Sequence, residues 1–229
     1  MESRLINGLE VAGLVFQLLL VIRYSLLRRS LLKYPILLAY CVVACLTAPA
    51  EYFVQNYGSH ELFIKLYYAD EVAVDLLLFL MVITLTYRAM DGNPGRKAAG
   101  RALGVITALV LVLPFLIFHG SRSDFAGFFN GAGEVLNFGA AIMNLVLWTA
   151  LLGATRRDGQ LIMVCAGLGV QVTAQAIGFG IRHLLPPYGY RWIPDLFMAA
   201  AYLVSIYLWW CAFRPGVGES MKADTLARA

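Results

Sequence analysis

A chain of 229 residues that is 60% hydrophobic and 14% charged, with a mean hydropathy of +0.72, lacks the polar side chains needed to face water all round a soluble domain. Its formal charge of +4 does not make it a nucleic-acid binder, because most Lys and Arg sit in short connections between apolar stretches and not on one face. The composition excludes a soluble globular domain and points to a lipid bilayer as the solvent.

Windows long enough to cross a ~30 Å hydrocarbon core predict an all-α bundle of seven transmembrane helices. The spans fall near 7–27, 34–54, 62–87, 98–118, 126–153, 159–184 and 190–213. No Ala-x-Ala cleavage site follows the first, so it is a span and not a signal peptide. Along it Glu10, Gln17 and Tyr24 recur at seven-residue steps, which puts them on one helix face. The turn Arg28-Arg29-Ser30 leads to span two, where Tyr40, Ala44, Thr47 and Glu51 form a similar stripe. After Tyr57-Gly58-Ser59, span three carries Tyr68, Glu71 and Asp75. The run Asp91-Gly92-Asn93-Pro94-Gly95 separates it from span four, which beyond the basic Arg101 at its cytoplasmic end has only Thr107 as a polar residue and is therefore expected at the lipid-exposed periphery. Span five has Asn130, Glu134, Asn137 and Asn144, span six Gln171, Gln175 and Arg182, and span seven Asp195, Tyr202, Ser205 and Trp209.

Basic residues alternate from loop to loop. Thirteen Lys or Arg flank the first, third and fifth connections and the tail, whereas Arg4, Lys65, Arg122, Arg182 and Arg191 make five on the other side. The positive-inside rule then puts the N-terminus outside and the C-terminus in the cytoplasm. Residues 1–214 form one transmembrane domain, and 215–229 a short cytoplasmic tail expected to be disordered.

With a rise of ~1.5 Å per residue from each cytoplasmic helix end, Glu10, Glu51, Glu134 and Asp195 reach a common layer at roughly 25–27 Å. Asp75 is deeper, at about 18 Å, with Glu71 between. Charged groups in a span are costly unless paired, hydrated or neutralised, so this layer marks the bundle interior or a cavity. Two readings stay open. The acids bond to Gln, Asn and Tyr or pair with Lys65, Arg182 and Arg191 and lock the helices together. Alternatively, they line a water-filled pocket open to the outside, floored by Asp75 and walled by Glu71, Glu51, Glu10, Glu134, Asp195 and Gln175, with Tyr68 and Asn137 beside it, that takes a small cation or amine.

No motif names a reaction, and the chain reads as a binding protein more than an enzyme. A retinal protein needs a Lys in its last helix, and residues 190–213 have none. No His-Glu-x-x-His or Gly-x-Ser-x-Gly occurs, and Asp70-Glu71-x-x-x-Asp75 is one residue too long for a Mg-diphosphate motif. The cysteines Cys41, Cys45, Cys165 and Cys211 all fall within spans and read as packing residues, so neither a disulfide framework nor a cofactor or metal site is expected from them.

The segments Arg28-Arg29-Ser30-Leu31-Leu32-Lys33-Tyr34-Pro35-Ile36-Leu37-Leu38-Ala39-Tyr40 and Leu66-Tyr67-Tyr68-Ala69-Asp70-Glu71 resemble a group of uncharacterised bacterial seven-helix integral membrane proteins. More distantly the layout is similar to the seven-helix sensor input regions of bacterial signalling proteins, from which it departs by having about fifteen residues after Arg214. The resemblance implies a multi-pass protein of the bacterial inner membrane, sensor-like, signalling through a membrane or cytoplasmic partner. A small transporter or proton-coupled carrier, and a structural subunit of a membrane complex, are the alternatives.

Overall fold

The structure is a computed structural model and describes residues 2–27, 31–118, 125–154, 158–184 and 192–214. The predicted tail 215–229, the basic residues Arg28, Arg29, Arg156 and Arg157, and the connections holding His119, Arg122 and Arg191 lie outside the described residues, as do the side chains of Glu10 and His183.

Among the described residues seven α-helices follow one another: α1 (Glu2–Val21), α2 (Pro35–Tyr57), α3 (His60–Ala89), α4 (Arg96–Ile117), α5 (Phe125–Leu152), α6 (Gly159–Leu184) and α7 (Trp192–Ala212). α1 continues into a π-helical turn, Ile22–Leu27, and a short 3-10 turn, Leu31–Lys33, precedes α2. The described residues contain no strand. Among the described residues six helices, α2 to α7, are long and apolar enough to cross a membrane, while α1 has a shorter apolar stretch, Val11–Tyr24. This is the make-up of a multi-pass membrane protein.

Local chemistry sets the helix starts. Pro35 opens α2, where the N–H it lacks would have had no partner. Ser59 Oγ accepts the Leu62 N–H at 3.2 Å and caps α3. Asp158 Oδ1 accepts the Gln160 N–H at 3.0 Å at the head of α6. Between α3 and α4 the chain turns at Gly92, whose φ of 83° suits a residue without Cβ. α2 and α4 run on through Pro49 and Pro114.

The helices form a ring in the order α1, α2, α3, α5, α6, α7, with α7 returning to α1 and α3 also touching α6 across the middle. α4 packs on the outside of α3 and α5, the peripheral place its apolar sequence predicts. Its buried residues are Leu103 and Pro114 alone.

The core is lopsided along the bundle axis. On α2 the buried residues are Leu37, Tyr40 and Cys41, all near the end that carries the basic connections. On α3 they run from Asp75 to Ala89, and none of residues 60–74 is buried. Leu78, Phe79, Val82, Leu147, Leu168, Val172, Ile206 and Trp209 fill this basic half. The largest of them, Trp209, is fully buried, stands edge-on to Tyr40 at 5.7 Å and donates its indole N–H to the Val164 carbonyl at 3.1 Å. Gly167 makes room for it, since a Cβ there would come within 2.5 Å of the indole nitrogen. Towards the acidic end α2 and the first half of α3 contribute no buried side chain, so the bundle loosens where the carboxylates gather.

Candidate functional site

A cavity of about 500 Å³ opens at the acidic end among α3, α5, α6 and α7. Tyr67 and Glu71 line it from α3, Asn130, Gly133 and Glu134 from α5, Phe179 and Arg182 from α6, and Asp195 from α7. The helical period explains the set: Tyr67, Glu71 and Asp75 step by four along α3, as do Asn130 and Glu134 on α5, so each series stays on one face.

Asp75 lies behind this wall. Its side chain is buried and its Oδ2 accepts a hydrogen bond from Asn137 Nδ2 at 2.8 Å, joining α3 to α5. What separates the carboxylate from the cavity is Gly133, where even a Cβ would stand 3.1 Å from Asp75 Oδ2. A larger residue at 133 would press on the carboxylate, and glycine keeps it close to the lumen.

Arg182 is the cavity's guanidinium. It gives Nε at 3.1 Å and Nη2 at 2.6 Å to Asp195 Oδ1, and it stands over the Phe179 ring at 5.4 Å. Glu71 makes no hydrogen bond or ion pair with another described residue. The described lining thus sets three carboxylates, Glu71, Glu134 and Asp195, against one guanidinium.

Of the residues predicted to wall a pocket, Glu71, Glu134 and Asp195 line this cavity, while Asp75 and Asn137 stand directly behind it. Glu51 is half-buried on α2 and Gln175 on α6, and neither lines it. The side chain of Glu10 lies outside the described residues. Tyr68 is also off the lining; its neighbour Tyr67 takes the place, with the two rings 5.4 Å apart at 76°. The reason is angular: at 100° per residue Tyr67 lies ~40° from Glu71 around α3 and Tyr68 ~60° on the other side. Lys65 does not neutralise the acid layer, because its Nζ pairs with Glu61 Oε1 at 2.6 Å on the exposed surface of the same helix.

Further into the bundle the polar stripes meet. The Tyr202 hydroxyl donates to Gln17 Oε1, linking α7 to α1. Gln17 Nε2, Asn144 Oδ1, Gln171 Oε1 and Gln175 Oε1 are buried with no partner among the described residues. Asp70, on the α2 side of α3, has a buried Oδ1 in the same condition. The four cysteines are free thiols, and the described residues bring no three His, Cys, Asp or Glu side chains together as a metal-ligand set.

No family model, curated protein or solved structure matches the chain.

Proposed function

We propose that the chain is a seven-pass membrane protein, N-terminus outside and C-terminus in the cytoplasm, that binds a small amine in the outward-facing cavity at its acidic end. One observation carries this reading: a cavity of ligand size whose described lining combines three carboxylates with the aromatic rings of Tyr67 and Phe179. An ammonium group is attracted by both kinds of wall. A bare metal ion would want a tight set of ligands, which the described residues do not assemble. Signalling then passes to a separate membrane or cytoplasmic partner, in the manner the resemblance to sensor input regions implies.

The test is the melting temperature of the detergent-purified protein against choline, putrescine, tyramine and the chlorides of magnesium and calcium. Wild type is to be stabilised by at least one amine, and Glu71→Gln and Asp75→Asn are to lose most of that shift. Equal responses in all three proteins would remove the cavity's claim.

A carrier is the second reading. It is favoured by the unsatisfied amides of Gln17, Asn144 and Gln171, which extend the polar column beyond Asp75 into the basic half. Against it stands the filling of that half by Phe79, Val82, Leu168 and Trp209, all fully buried. Amine-driven proton flux into proteoliposomes decides between them: a binding protein gives none.

A further inference from the structure

The head of α4 carries its charge the wrong way round. A helix N-terminus bears partial positive charge and favours acids, yet α4 begins Arg96-Lys97, has no acid in its first turn and adds Arg101 a turn later. Arg96 is provided for, with Nη1 2.6 Å from Asp91 Oδ1 and its guanidinium over the Tyr87 ring at 4.4 Å. Lys97 and Arg101 are exposed and make no ion pair among the described residues.

These two cations stand at the mouth of a groove of about 800 Å³ between α3 and α4, on the outer surface of the bundle. Its walls are Ile83, Thr84 and Tyr87 on one side and Gly100, Leu103, Gly104 and Thr107 on the other. From Lys97 to Thr107 the helix rises ~15 Å, about one leaflet of hydrocarbon. Glycine keeps the groove open: at Gly104 an added Cβ would meet nothing within 4 Å, and at Gly100 it would strike the Tyr87 ring at 2.9 Å.

We propose that this groove holds one anionic phospholipid, with its phosphate against Lys97 and Arg101 and an acyl chain along Gly104 and Thr107. Charge complementarity chooses the headgroup, and the apolar channel below the cations chooses a lipid over a soluble anion, which would leave that channel empty. Basic clefts between membrane helices are a recurring setting for anionic headgroups. The bound lipid would supply the negative charge that the first turn of α4 lacks, and would seat this peripheral helix against α3.

The experiment is native mass spectrometry of the full-length protein in detergent, titrated with dioleoyl phosphatidylglycerol or dioleoyl phosphatidylcholine. Phosphatidylglycerol should bind about tenfold more tightly to wild type, two basic residues being enough for that preference. Lys97→Gln with Arg101→Gln should abolish the preference while leaving weak binding of both lipids. Gly104→Phe, which fills the groove without a clash at Cβ, should lower both. Melting of each variant without lipid checks that it is folded. Equal binding of the two lipids to wild type, an unchanged preference in the double variant, or glycerol phosphate stabilising the protein as well as the lipid does, would each overturn the proposal.

Discussion

The two ends of the bundle carry opposite excesses of charge in different surroundings. At the basic end cations lie on aromatic faces: Arg23 over Trp210 at 5.1 Å, Arg88 over Tyr34 at 4.5 Å and Arg96 over Tyr87 at 4.4 Å. Trp210 and Tyr34 belong to a cluster in which Tyr24 meets Trp210 and Phe213, and Phe213 meets Tyr34, at 5.4 to 5.7 Å. At the acidic end three carboxylates line a cavity whose one described guanidinium, Arg182, is bonded to Asp195. A ring face attracts a cation through its quadrupole, whereas it offers a carboxylate nothing, so acids inside a membrane bundle need hydration, protons or a counter-ion. The basic half can therefore close tightly and the acidic half stays open, which is where the proposed amine would exchange.

The largest effect expected from this contrast is on stability. Trp209→Ala removes a fully buried ring, its contact with Tyr40 and its bond to the Val164 carbonyl, and should cost about 3 kcal/mol or more. Tyr67→Ala at the loose end removes an exposed ring and should cost less than about 1 kcal/mol. Unfolding in mixed detergent micelles measures both. Losses of similar size would mean that the acidic end is as firmly packed as the basic one, and the contrast would fail.

Much of this division is legible in the sequence. The apolar windows place α2 to α7 within three residues of their observed ends, and the bare sequence of span four foretells its outer position. The polar stripes also find Gln17, Asp75, Asn137 and Ser205, all buried. What a single helix cannot reveal is which neighbour its stripe faces. Lys65 shares the acidic end with the carboxylates, yet it is bound to Glu61 one turn away. Phe179 carries no polar signal and enters the cavity because α6 packs along α7. The choice of Tyr67 over Tyr68 depends on an azimuth fixed by that same packing. The loosening of α2 and α3 is invisible for a related reason: helix tilt is set by side-chain contacts between helices and not by the length of an apolar run.

A smaller effect tests the boundary between the halves. Asp75 and Asn137 are buried and bonded at 2.8 Å where the tight core gives way to the cavity. Interhelical hydrogen bonds in membranes are worth about 0.6 kcal/mol on average and up to about 1.7. A double-mutant cycle of Asp75→Ala and Asn137→Ala should return a coupling in that range. A coupling near zero would say that Asp75 exchanges freely with water in the lumen and belongs to the site alone.

The smallest effect separates site from scaffold. Arg182–Asp195 at the acidic end and Arg96–Asp91 at the basic end are both 2.6 Å ion pairs, with at least a third of each side chain exposed. Pairs of that kind contribute about 0.2 to 1 kcal/mol and are screened as salt approaches 1 M, where the Debye length is about 3 Å. Asp195→Asn and Asp91→Asn should therefore lower stability slightly and by similar amounts, and both losses should shrink with salt. Their ligand responses should part. Asp195→Asn removes a lining carboxylate and frees the Arg182 guanidinium within the cavity, so the melting shift given by an amine should fall; Asp91→Asn acts at the far end and should leave it unchanged. If Asp91→Asn weakened the amine response as much as Asp195→Asn, the response would be a property of the whole bundle and the acidic cavity would lose its special standing.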